Sequence, residues 1–87
     1  MKVKYSKIFV KHFRKRVFSN YSLTSRFNDR LKLFFTDSKH PLLKDHPLKG
    51  KKIGLRAFSI TGNIRVIYQI VNNTVYFFDI GTHNQVY

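Results

Sequence analysis

The sequence predicts an α+β fold in which an N-terminal strand and a helical hairpin pack on a twisted antiparallel β-sheet. Three observations carry that expectation. Between Leu55 and Tyr87 lie three runs rich in β-branched and aromatic residues, LRAFSIT, IRVIYQIV and TVYFFDIG, separated by Gly62-Asn63 and Asn72-Asn73. Those pairs tolerate the positive φ of tight hairpin turns, so the runs form an antiparallel meander. Upstream, apolar residues recur every three or four positions in two successive segments, which is the spacing of one helix face. Between the two halves, DSKHPLLKDHPLKGKK holds both prolines and reads as an irregular surface loop.

Taken in order, Met1 to Tyr5 alternates Val3 and Tyr5 with Lys2 and Lys4, a short first strand. Ser6 suits the N-cap of a helix whose apolar stripe is Phe9, Phe13 and Val17, widened by Ile8, Val10 and Phe18. Lys7, Lys11, Arg14 and Lys15 fall mainly on the other side, and His12 reads as a surface residue. Such a basic face is a solvated or partner-facing surface rather than a membrane-seeking one. Asn20 to Ser22 interrupts the pattern, and a second helix runs from about Leu23 to Phe35 with Leu23, Phe27, Leu31 and Phe34 or Phe35 inward. Both stripes should bury against Ile64, Val66, Tyr68 and Ile70, the alternating face of the middle run. In the third run both faces are apolar, which predicts a central strand covered on both sides. Gly81 can then turn the chain into a polar tail, Thr82 to Tyr87, lying outside the core.

Charge narrows the function classes. Seventeen Lys and Arg against four acids give +13 over 87 residues, a field that attracts nucleic acid or acidic protein. With no Cys, disulfides and thiolate metal sites are excluded. No apolar run reaches the roughly 20 residues that span a bilayer, so a single cytoplasmic domain over residues 1–87, without membrane association, is expected. A Gly-rich phosphate loop and a Ser-His-Asp order are both missing.

The succession HPLKG, LRAFSITGNIRVIYQI and FFDIGTHNQVY resembles the RelE/ParE superfamily of toxins, with its YafQ-like branch nearest. The likeness is close over the second half and rests on the helical-hairpin pattern over the first. It implies a RelE-like domain acting as the toxin of a type II toxin-antitoxin system. The implied activity is a ribosome-dependent endoribonuclease that cuts translated mRNA, with ribosome, mRNA and an acidic cognate antitoxin as partners.

Metal-free RNA cleavage needs a base for the 2′-hydroxyl, cations for the developing phosphorane charge and an acid for the leaving oxygen. The resemblance assigns these roles to His46 of the DHPLKG motif, Arg65 of the middle strand, and His83 and Tyr87 of the tail. Lys49, Lys51, Lys52 and Arg56 form a basic cluster suited to RNA phosphates. Ser59 and Asn63 stand where YafQ-like sequences carry a histidine and an aspartate, positions that face RNA in the family. Serine and asparagine cannot do that proton work. No metal or cofactor is expected: His46 and His83 have only Asp45 as a neighbouring acid. Two other readings stay open, a ParE-like inhibitor of DNA gyrase and a nucleic-acid-binding domain without catalysis.

Overall fold

The computed structural model describes residues 1–87. In chain order it comprises strand β1 (Lys2–Tyr5), helix α1 (Lys7–Phe13) running on as a π-helical stretch Arg14–Phe18, helix α2 (Tyr21–Thr36), the two-residue strand β2 (His46–Pro47), strands β3 (Arg56–Ser59), β4 (Ile64–Val71) and β5 (Thr74–Thr82), and a final turn of helix, α3 (His83–Val86). No helix is long and apolar enough to cross a membrane.

At the first helix the local signal acts as expected, while α2 starts at Tyr21 rather than near Leu23 because Asn20, read as part of an interruption, caps it. Ser6 accepts a hydrogen bond from the Phe9 amide at 2.9 Å, and Asn20 accepts one from the Leu23 amide at 3.1 Å. Each satisfies a donor that the first helical turn leaves without a partner. Between β4 and β5, Asn72 and Asn73 take φ of 50° and 61°, a type I′ hairpin. The turn before β4 works differently. There Gly62 and Asn63 keep negative φ, and the Thr61 hydroxyl accepts from the Asn63 and Ile64 amides at 3.1 and 3.0 Å.

The sheet order is β1-β5-β4-β3-β2. Strands β2 to β5 pair antiparallel, but β1 pairs parallel with β5, Val3 opposite Val75, so the sheet is mixed. Sequence patterning identified the strand but not its direction, because both helices intervene before the chain returns to it. Strand β4, not the third run, is the middle of the sheet. The third run is still interior, yet Phe78 remains 36% exposed: a bulge at Ile67/Tyr68 leaves it unpaired between Asp79 and Phe77.

One face of the sheet carries the main core. Phe9, Phe27 and Phe34 from the helices meet Phe58, Val66, Tyr68, Phe77 and Ile80, with Phe34 stacked on Phe58 at 4.6 Å between ring centroids. Ile70, expected in this face, is 46% exposed near the end of β4.

Beyond Phe77, β1 no longer covers the edge of β5, and α1 takes its place. The Ser6 hydroxyl donates to Phe78 O at 2.8 Å and the Arg16 guanidinium to Ile80 O at 2.9 Å, closing an edge that would otherwise offer bare carbonyls. His12 joins this seam and is not a surface residue: its Nδ1 lies 2.6 Å from Asp79, and its side chain is only 20% exposed.

The opposite face is covered more thinly, by α3. Val86 is 3% exposed against Ala57 and Ile67, with Leu48 and Leu55 alongside. The C-terminal tail is therefore docked into a second small core rather than lying outside it. Nor does Gly81 turn the chain. It continues β5 opposite Arg65, and a Cβ there would stand 2.6 Å from Arg16 Nη1 and 2.7 Å from Gln85 Oε1.

Candidate active site

Cross-strand partners share a face of a sheet. His46 pairs with Ala57, Ala57 with Ile67, Ser59 with Arg65, and Arg65 with Gly81. The ladder thus sends His46 and Arg65 to the face away from the helical hairpin, the face that α3 covers. A helix of one turn has no stability of its own. This one is held by a capping box, in which Thr82 Oγ1 accepts from the Gln85 amide at 3.3 Å and Gln85 Oε1 from the Thr82 amide at 2.8 Å. Burial of Val86 completes the docking and brings His83 and Tyr87 over the sheet.

There Tyr87 meets His46, and His83 packs on Tyr87. His83 and Tyr87 pack edge to face, 4.3 Å between centroids. The Tyr87 hydroxyl lies 3.3 Å from His46 Nε2, and His46 Nδ1 lies 2.9 Å from the Lys44 carbonyl. A carbonyl can only accept, so in the neutral ring Nδ1 carries the proton and Nε2 is left as an acceptor facing Tyr87. Lys44 presents that carbonyl from a left-handed backbone, φ 49°, uncommon for a residue with a Cβ.

A cavity of about 670 Å³ opens beside these rings, lined by Leu48, Lys49, Lys51, Lys52, His83 and Tyr87. Lys51 and Lys52 lie in a short 3₁₀ turn, Gly50–Lys52, in the loop that follows β2, and Lys49 immediately precedes it. Arg65 is close enough to Tyr87 to bear on its phenol. Partial burial pushes the Tyr87 phenol up, and the Arg65 charge partly offsets that by favouring the phenolate. Arg65 Nη1 also donates to Gly62 O at 3.3 Å, leaving other donors of its fork free.

Seven of the residues singled out from sequence thus converge: His46, His83, Tyr87, Lys49, Lys51 and Lys52 in and around the cleft, and Arg65 beside it. Three do not. Arg56 sits opposite Tyr68 on the helix side of the sheet, where it binds Asp45 at 3.0 Å, so it cannot extend the lysine cluster. Ser59 faces the cleft side but is only 3% exposed, too deep in the strand to reach RNA. Asn63 is exposed in the turn before β4 and does not line the cavity. No local pattern in the sequence reveals the Lys44 carbonyl, and Asp45 was weighed there only as a metal partner of His46 rather than as a neighbour that binds Arg56 and Tyr68.

A family model described as the bacterial toxin of type II toxin-antitoxin systems, YafQ, matches residues 1–87. The chain belongs to the YafQ toxin family. No curated protein matches its sequence. Among solved structures, a histidine-to-glutamine mutant of YafQ from E. coli superposes with a TM-score of 0.84 at 19% identity, covering 99% of this chain and 97% of that one. The E. coli DinJ-YafQ complex matches with a TM-score of 0.81 at 20% identity, over 99% and 97% of the chains. A metal-bound toxin from Helicobacter pylori gives 0.79 at 26% identity, over 100% and 99%. The α+β fold with a five-stranded mixed sheet is therefore that of the YafQ toxins. Within it, no cluster of three or more His, Cys, Asp or Glu is assembled.

Proposed function

We propose that residues 1–87 form a single toxin domain that cleaves mRNA on translating ribosomes by metal-independent acid-base chemistry. The observation that carries this reading is the pairing of a His46 Nε2 acceptor with a second imidazole, His83, around Tyr87 at the mouth of a lysine-lined cleft. His46 Nε2 takes the proton of the ribose 2′-hydroxyl as that oxygen attacks the adjacent phosphorus. Arg65 and the lysines compensate the charge on the phosphorane oxygens. His83, protonated, gives its proton to the departing 5′-oxygen, leaving a 2′,3′-cyclic phosphate and a 5′-hydroxyl. Tyr87 stacks on or orients a base, and its hydroxyl, which occupies the single acceptor site of His46 Nε2 in the free toxin, yields it to the 2′-hydroxyl when RNA binds. His46 and His83 share the proton transfers between them, which fits the absence of the family's histidine and aspartate at Ser59 and Asn63.

The toxin works in the cytoplasm and is held inactive by an acidic cognate antitoxin. Solved DinJ-YafQ complexes share this fold, and +13 on 87 residues calls for an acidic partner.

Mapping mRNA 5′ ends in a translation reaction tests the proposal. Wild type should produce new ends within open reading frames, and His83→Gln should lose them by on the order of 10²- to 10⁴-fold. If the wild-type toxin leaves mRNA intact but blocks DNA supercoiling by gyrase, the nuclease reading is wrong.

A further inference from the structure

Asp45 immediately precedes His46, and because the backbone there is extended the two side chains point to opposite faces of the sheet. The Asp45 side chain is 13% exposed and fully engaged. Its Oδ1 accepts from the Tyr68 hydroxyl at 2.5 Å, and its Oδ2 accepts from Arg56 Nη2 and Nε at 3.0 and 3.3 Å. Arg56 lies on β3 and Tyr68 directly across from it on β4, so one carboxylate is gripped by two strands at once. Burial, reinforced by the bond to Asp45, keeps the Tyr68 phenol protonated far above its ordinary range.

The backbone gives β2 little hold of its own. The strand is two residues long, His46 opposite Ala57 and Pro47 opposite Arg56, and Pro47 has no amide hydrogen to donate. A slip of one residue would turn the His46 ring to the helix side, since side chains alternate with a period of two. The flanking anchors, the Leu48 amide on Leu55 O at 2.9 Å and Arg30 on Leu42 O at 2.8 Å, hold the ends of the segment rather than the histidine.

We propose that Asp45 is a positioning residue: gripped by Arg56 and Tyr68, it fixes the register of β2 and the Lys44 carbonyl, so that the His46 ring keeps its proton on Nδ1 and presents an unprotonated Nε2 to Tyr87 beside the cleft. The catalytic consequence rests on the nuclease reading; the effect on the ring does not.

The test reads the ring directly. In ¹⁵N-labelled protein, at a pH where His46 is neutral, wild type should show the Nδ1–H tautomer. Asp45→Asn and Asp45→Ala should shift the ring toward the Nε2–H form that a free histidine side chain favours. Tyr68→Phe, which removes one donor and keeps the packed ring, should shift it partway. In cleavage assays the Asp45 variants should lose kcat by on the order of 10²-fold with little change in KM, the signature of a misplaced group rather than lost binding. A His46 ring that stays Nδ1–H in Asp45→Ala and in Tyr68→Phe overturns the proposal; if the former fails to fold, the latter alone decides. A tautomer shift in the variants of a protein that cleaves nothing upholds the positioning role and removes the nuclease.

Discussion

Arg65 illustrates what a single residue type contributes at this site. It is half-buried on β4, its guanidinium bears on the Tyr87 phenol, and one of its nitrogens is spent on Gly62 O. A planar fork can brace a phosphate in two directions, which a lysine ammonium cannot. Arg65→Ala should therefore leave thermal unfolding nearly unchanged and cut mRNA cleavage by about two orders of magnitude or more, with Arg65→Lys in between. Alanine-variant cleavage at the wild-type rate would remove Arg65 from the mechanism. Tyr87 separates stacking from hydrogen bonding in the same assay. Base stacking is worth about 1–3 kcal/mol, so Tyr87→Ala should lose roughly ten- to a hundredfold while Tyr87→Phe stays mild. Equal losses for both would mean that the hydroxyl on His46, not the ring, is what matters. At this scale the sequence singled out three side chains that the fold does bring together, His46, His83 and Tyr87. It was misleading at Arg56 and Ser59. A strand assigns alternate residues to opposite faces, and charge alone does not tell which face Arg56 takes or how deep Ser59 lies.

The elements show which local rules suffice. The Asn72-Asn73 turn and the Ser6 cap are set by neighbours within a few residues, and the sequence shows them plainly, whereas the equally local Asn20 cap was hidden in what read as a break. Strand β2 and helix α3 are too short to carry a periodic signal, and the parallel pairing of β1 depends on where two helices deliver the chain. Gly81 belongs with these. Its freedom is spent not on a turn but on letting the Arg16 guanidinium and Gln85 close over β5, where Gln85 also completes the cap of α3. Gly81→Ala should force both side chains aside, costing about 1–3 kcal/mol of stability as overpacking does. It should also loosen α3, so cleavage should fall even where the protein is still folded. Denaturant unfolding of the variant checks the first effect; wild-type stability would show that the two side chains yield freely.

At the scale of the whole molecule, two titrations of charge govern behaviour. The Tyr68 phenol is held protonated in the fold, first by burial and then by Asp45, above its ordinary value of 10.0. Between that value and the folded one, the native protein keeps a proton that the unfolded chain has lost. The contribution of Tyr68 to stability is thus complete below the ordinary value and declines as pH rises above it. Tyr68→Phe has no such proton, so the stability gap between wild type and variant should narrow from about pH 10 upward; a constant gap would count against the buried phenol.

The other titration is by salt. A surface of 17 Lys and Arg with four acids, two of them already bound internally (Asp45 to Arg56 and Asp79 to His12), leaves a strongly positive exterior with little to neutralise it. Such a field steers an acidic partner by long-range attraction, which ionic strength shortens: the screening length is about 10 Å at 0.1 M and about 3 Å at 1 M. Contacts made after docking are short-ranged and far less sensitive. Association of the cognate antitoxin should therefore slow steeply with added salt, with an on-rate near 10⁸ M⁻¹s⁻¹ or above at low salt falling toward about 10⁵–10⁶ M⁻¹s⁻¹, while the off-rate changes little. Stopped-flow association across a salt series measures both. An on-rate flat across that series would mean that the antitoxin engages the toxin through apolar surface, and that the charge serves RNA alone.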